Sequence, residues 1–144
     1  MNDTKLKGNI TELQCILAFT KLGYQVSTPF GEDSRYDLIV DINNKLYKIQ
    51  CKTCSEFTDA SGEIAGIIFK TCRQTGSNAR TSVRTKYTKD EIDYFATFYQ
   101  GKCYLVPVEE CSVEKRLRII PPKNGTKIQN DMKEYELCEV LKTL

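Results

Sequence analysis

Apolar and polar positions alternate along this chain with two different periods. Over 8–22 the residues Ile10, Leu13, Ile16, Leu17 and Leu22 recur near helical spacing, and Gly23 comes next as a C-terminal cap. That pattern predicts an amphipathic helix packed on a sheet through those apolar residues. Tyr24–Pro29 reads as a first strand and Phe30–Arg35 as a polar loop, in which Glu32 and Asp33 are expected to be solvated. The period then changes to two. Asp37–Ile42 and Leu46–Cys51 read as paired strands, joined by the turn-forming Asn43-Asn44-Lys45.

After the hairpin the pattern weakens. Ser55–Gly62 is polar and loop-like, Ala65–Phe69 is a short apolar run of strand type, and Gln74–Thr85 has the Gly, Ser, Asn, Thr and Arg content of a surface loop or extended arm. Thr88-Lys89-Asp90-Glu91 has the spacing of a capping box, and Ile92, Phe95, Ala96 and Tyr99 come after it at helical intervals, so a helix is predicted through about Tyr99. Cys103–Val108 reads as a strand, with Pro107 pointing to an end or edge of the sheet. A short helical segment is expected from Ser112, leading to Leu117–Ile120. Pro121-Pro122-Lys123-Asn124-Gly125 then breaks the chain, and Tyr135–Leu144 offers Leu137, Val140, Leu141 and Leu144 for a docked terminal helix.

Composition narrows the class. With 144 residues, 40% of them hydrophobic and 28% charged, the chain has the size and balance of one soluble domain, 1–144. It contains no apolar run of membrane-spanning length and no apolar segment at its start, so a cytoplasmic location is expected. The net charge of +2 is uninformative as a total. Its distribution is not: between Ile64 and Lys89 stand six basic residues, Lys70, Arg73, Arg80, Arg84, Lys86 and Lys89, and no acid. Arginines without neighbouring acids, interleaved with Ser, Thr and Asn, suit a polyanion, neutralising phosphates or forking onto guanine edges. Seven cysteines with no histidine argue for free thiols. The Cys51/Cys54 pair lacks a second CxxC and overlaps a strand, which disfavours both a zinc site and a redox pair.

The hairpin carries the candidate chemistry. Alternation puts Gln50 and Lys52 on one strand face and Cys51 on the other, with Asp37 at the start of the partner strand. A carboxylate beside an amide oxygen offers hard ligands of the kind Mg²⁺ accepts, and an adjacent lysine can position or deprotonate water, a combination suited to phosphodiester hydrolysis.

Asp37 followed by Gln50-Cys51-Lys52 resembles the PD-(D/E)XK nuclease core. Tyr36 stands where that pattern has its structural Pro, and Gln50 where it usually has Asp or Glu, which removes one negative charge. The likeness extends along the chain. Gly8, Glu12, DEIDYFATFY, CYLVPV, LRIIPPKNG and EYEL are similar to the small PD-(D/E)XK homing endonucleases of the cyanobacterial transfer-RNA intron type, some of which also carry Gln at the acidic position. This resemblance implies an α/β (α+β) restriction-endonuclease-like core, a mixed central β-sheet flanked by α-helices. It also implies a homo-oligomer, dimer or tetramer, acting on double-stranded DNA with Mg²⁺ or Mn²⁺. Glu12, Asp37, Gln50 and Lys52 would then be catalytic, Asp37, Gln50 and the Cys51 backbone carbonyl would hold the metal, and the Lys70–Lys89 region would bind DNA. Two other functions share these features: a Holliday-junction resolvase of the same superfamily, and a DNA-binding protein that kept the fold without the chemistry.

Overall fold

A computed structural model describes residues 2–75, 83–121 and 130–144. The chain opens with helix α1 (Asp3–Lys21), capped by the Asn2 side chain, which accepts from the Lys5 amide at 2.8 Å. Strands β1 (Gln25–Ser27), β2 (Leu38–Ile42), β3 (Lys45–Cys51), β8 (Tyr94–Tyr99) and β9 (Lys102–Pro107) form a five-stranded sheet in the order β1-β2-β3-β8-β9. Every pairing is antiparallel except β3 with β8, so the sheet is mixed. The β2–β3 turn places Asn43 and Asn44 at φ of 55° and 67°. Asparagine tolerates two successive left-handed residues at a tight hairpin better than most side chains do. Pro107 ends β9 at the sheet edge, where its missing N–H costs no ladder bond.

Two cores lie on opposite faces of this sheet. On one, Cys15 and Phe19 of α1 pack against Leu38, Val40, Ile49, Ala96 and Leu105, and α2 (Leu137–Leu141) adds Leu137 and Val140. On the other, Phe95, Tyr104 and Val106 meet Ile67, Phe69 and Leu117. Those last residues belong to a second sheet of β4 (Ser55–Thr58), β5 (Ile64–Lys70) and β10 (Glu114–Arg118). Gly66 of β5 is needed there. A Cβ on it would lie 2.0 Å from the Leu117 carbonyl oxygen and 2.8 Å from the Phe57 ring. A two-stranded ribbon, β6 (Cys72–Thr75) with β7 (Val83–Lys86), leaves the body just after β5. Among the described residues, no helix is long and apolar enough to cross a membrane.

Four expectations are corrected. The stretch through Tyr99 is a strand, not a helix. Its capping-box side chains do meet, Glu91 Oε1 accepting from the Thr88 amide at 3.0 Å, but they close only a turn. Beyond that turn, YFATFY is a run of aromatic and β-branched residues in a central strand covered on both faces, where Tyr94, Ala96 and Phe98 serve one core and Phe95 and Tyr99 the other. The stretch Ser55–Gly62 contributes strand β4 rather than only a loop, because Phe57 covers Gly66 across the pair. Helix α1 packs through Thr11, Cys15 and Phe19, with Ile16 half-buried against the same core as expected, while Ile10, Leu13, Leu17 and Leu22 stay exposed. Finally, the segment expected to be helical from Ser112 is instead preceded by a 3₁₀ turn, Val108–Glu110, and runs into β10.

Candidate active site

The hairpin delivers the candidate residues to one end of the central sheet. Leu38 pairs with Ile49 and both enter the first core, so alternation turns Asp37, Gln50 and Lys52 to the opposite face. The Asp37 amide donates to the Ile49 carbonyl at 2.8 Å, and the Cys51 amide donates to Asp37 Oδ2, also at 2.8 Å. In a strand a residue's N–H and C=O point to the same side. The Cys51 carbonyl therefore faces Asp37's side, beyond the Leu38–Ile49 pair that ends the ladder. The Cys51 thiol points the other way, into the first core beside Cys15 and Cys103. Cys54 packs in the second core, so the two cysteines of the CxxC serve opposite faces of the sheet.

Helix α1 approaches the same end. Thr11 Oγ1 and Thr53 Oγ1 share a hydrogen bond of 3.0 Å, tying the helix to the residue after Lys52. Glu12 is thereby half-buried near Asp37. Burial pushes the Glu12 carboxyl up from its ordinary range, and the charge of Asp37 pushes it further. Burial raises Asp37 as well, against the Cys51 N–H and Lys52, which pull it down. Lys52 is lowered by burial, with Asp37 opposing and Arg35 and Arg73 assisting. Two carboxyl groups made reluctant to ionise by burial, one of them also by the other's charge, form a place where a cation would relieve the strain.

The donors fit a hard divalent ion: two carboxylates, the Gln50 amide and the Cys51 carbonyl offer oxygen only. Among the described residues no three His, Cys, Asp or Glu side chains gather in a metal-holding cluster. The amide and the carbonyl would complete the set.

The basic residues divide into groups. Arg73, Arg84 and Lys86 are exposed on the ribbon, where Arg84 and Lys86 share one face and Arg73 takes the other. Lys70 is exposed at the end of β5, and Lys89 lies in the turn before β8 with its ammonium 2.6 Å from Glu109. Arg80 lies outside the described residues. The ribbon is rooted beside Lys52, since Arg73 acts on the charge of Lys52, and Tyr87, the residue after β7, places its ring under the Lys52 ammonium. Glu32 and Asp33 are exposed in the loop before Asp37. Arg35 and Tyr87 also lie by Lys52, with Glu91 paired to Arg35, and no periodicity singles them out, because separate segments bring them together.

A mixed sheet that presents Asp37, Gln50 and Lys52 at one end, with a helix beside them, is a restriction-endonuclease-like fold. The bacterial homing endonuclease I-Ssp6803I has this fold: it superposes with a TM-score of 0.76 at 23% identity, covering 99% of this chain and 95% of that one. The chain belongs to the PD-(D/E)XK endonuclease family, whose pattern it matches over residues 2–138. Protein 5.3 of Escherichia phage T7 is 35% identical over 63 residues, 44% of this chain. That match spans about half, 53%, of the phage protein's own length.

Proposed function

We propose that this nuclease is a divalent-metal-dependent, sequence-specific endonuclease of duplex DNA, homing-endonuclease-like, with residues 1–144 as one catalytic domain. The observation that carries the reading is the convergence of Asp37, Gln50 and Lys52 on one face at the end of the β2–β3 hairpin, in a chain of this family. Asp37, the Gln50 amide oxygen and the Cys51 carbonyl would hold the ion, Mg²⁺ or Mn²⁺, with Glu12 in support. Bound there, the cation supplies positive charge to the phosphate as negative charge builds on its oxygens. Lys52, as an ammonium, would orient the water that attacks phosphorus; the P–O bond to the sugar breaks as the new P–O bond forms, the water's proton passes to solvent, and the departing sugar oxygen takes up a proton from solvent. Lys70, Arg73, Arg80, Arg84, Lys86 and Lys89 contribute DNA contacts, with the ribbon as the reading arm.

Cutting both strands of a duplex takes two such sites, so the enzyme acts as a homo-oligomer, a dimer or a tetramer. The exposed apolar stripe on α1 supports that assembly.

The decisive experiment incubates purified protein with Mg²⁺ or Mn²⁺ and a random-sequence duplex library, then sequences the cut ends. One recurrent cut site, lost with a chelator and lost in Asp37→Asn, is expected. Cleavage that survives Asp37→Asn or the chelator overturns the reading, as does a protein that cuts nothing. Four-way junctions of unrelated sequence belong in the same assay; if they are cut equally well and linear duplexes are not, the enzyme is a junction resolvase.

A further inference from the structure

A lysine carries its ammonium on a flexible four-carbon stem, and unless something holds the end of that stem, its charge samples many positions. At Lys52 the holding group is visible. The Lys52 Nζ lies 5.4 Å from the centroid of the Tyr87 ring, within the range where a cation is attracted to an aromatic face. The ring is itself clamped. The wholly buried Phe95 meets it edge-on at 5.3 Å and 86°, and the Arg35 guanidinium carbon lies 4.3 Å from its centroid. Arg35 is tethered in turn, its Nε 2.9 Å from Glu91 Oε2. That contact is an ion pair off the N–H axis, since Arg35 Nε and Nη2 are buried with no hydrogen-bond partner among the described residues. Glu91 is fixed by the Thr88 turn.

We infer that Tyr87 is a positioning residue for Lys52: its ring, braced by Phe95 and Arg35, fixes where the lysine ammonium sits relative to Asp37. Two like charges share one ring, and Arg35 holds the closer seat. Asp37 attracts the Lys52 ammonium and Arg35 repels it, so charge acts on its position alongside the ring. A guanidinium whose buried Nε and Nη2 make no hydrogen bond among the described residues, despite its ion pair with Glu91, is costly to hold there. Holding the platform gives it a task. The turn that begins at Thr88 acquires one too, as the anchor of Arg35. The inference rests on the proposed role of Lys52 in cleavage.

The test compares wild type with Tyr87→Phe, Tyr87→Met and Lys52→Ala. Phe keeps the aromatic face and loses the hydroxyl; Met keeps apolar volume against Phe95 and loses the face. The first readout is independent of catalysis. In protein labelled with ¹³C-lysine, the Lys52 Hε resonances, assigned by their loss in Lys52→Arg, should show a ring-current shift in wild type and in Tyr87→Phe and lose it in Tyr87→Met. The second readout is single-turnover cleavage of a duplex recovered from the library, alongside affinity for it without metal. Tyr87→Met should slow cleavage by about ten-fold or more with affinity unchanged, while Tyr87→Phe stays close to wild type. An unshifted Lys52 resonance in wild type, or a Tyr87→Met enzyme that cuts at the wild-type rate, overturns the inference. If Lys52→Ala cuts as wild type does, the proposed role of Lys52 is what fails, and the catalytic part of the inference falls with it. The resonance still decides whether Tyr87 holds the side chain.

Discussion

Burial lifts the carboxyl of Asp37 above its ordinary range although the Cys51 N–H and Lys52 oppose it, and the sign of that shift has a measurable consequence. Folded protein keeps the Asp37 proton to higher pH than the unfolded chain does, so between the two values the folded state binds more protons and stability falls as pH rises. Asp37→Asn removes the ionisation while retaining an oxygen for the Cys51 amide. Without metal the variant should melt at a higher temperature than wild type near neutral pH, and the advantage should shrink as pH falls through the carboxylate range. Mg²⁺ should raise the melting temperature of wild type and leave the variant unmoved. Equal melting curves at both pH values would mean that the buried charge carries no such penalty. Gln50 is tested differently. If its amide oxygen is a ligand, Gln50→Glu should retain cleavage and reach its half-maximal rate at lower Mg²⁺, because a carboxylate holds a hard cation more strongly; Gln50→Leu should lose most of the activity. A fully active Gln50→Leu enzyme removes Gln50 from the site. These residues were legible in the sequence because strand alternation is local: two positions apart on β3 means one face, whatever the rest of the chain does. Arg35 and Tyr87 were not, since their meeting at Lys52 depends on how a loop, a ribbon and a turn pack together.

Elements divide in the same way. The hairpin and β9 could be read because a two-residue alternation or an apolar run bounded by turn residues has few other solutions. The stretch after Thr88 misled because a capping box forms wherever Thr and Glu can reach each other's amides. It says nothing about the next residues, and Ile92, Phe95, Ala96 and Tyr99 fit a helical face by spacing although both faces of the strand are buried. In α1 the spacing holds and Ile16 packs as expected, but the helix centres its buried face on the smaller Thr11 and Cys15 with Phe19 and turns its leucines outward. Composition reads the arginine-rich stretch as a surface loop or extended arm, and its described ends pair as a ribbon. If that arm contacts phosphates, Arg84→Ala and Lys86→Ala should each weaken DNA binding and flatten the dependence of log affinity on log salt by about one unit. Cleavage at saturating protein should change little, as neither side chain belongs to the proposed metal site. A steepened or unchanged salt slope in the double variant would leave the ribbon without a role in phosphate binding.

At the scale of the whole molecule, the outward face of α1 bears on the proposed homo-oligomer with its two cutting centres. Leu6, Ile10, Leu13 and Leu17 are all exposed, Leu13 by 64%, and they recur at alternating steps of four and three along one side of the helix. That spacing is the one by which two helices interlock side chains along a shared seam. A two-fold axis across such a seam makes it self-complementary, each stripe meeting its own copy. Because Glu12 lies on the same helix, pairing through α1 would also fix the distance and orientation between two candidate sites, and hence the spacing of the two cuts. Leu13→Glu places a charge in the middle of the seam. Since Leu13 is exposed in the single chain, the substitution should leave the fold and its melting profile nearly intact while light scattering shows the mass falling from oligomer to monomer. On a supercoiled plasmid carrying the target, the variant should accumulate nicked circles where wild type yields linear DNA. A variant that remains oligomeric and linearises the plasmid at the wild-type rate would place the interface somewhere other than α1.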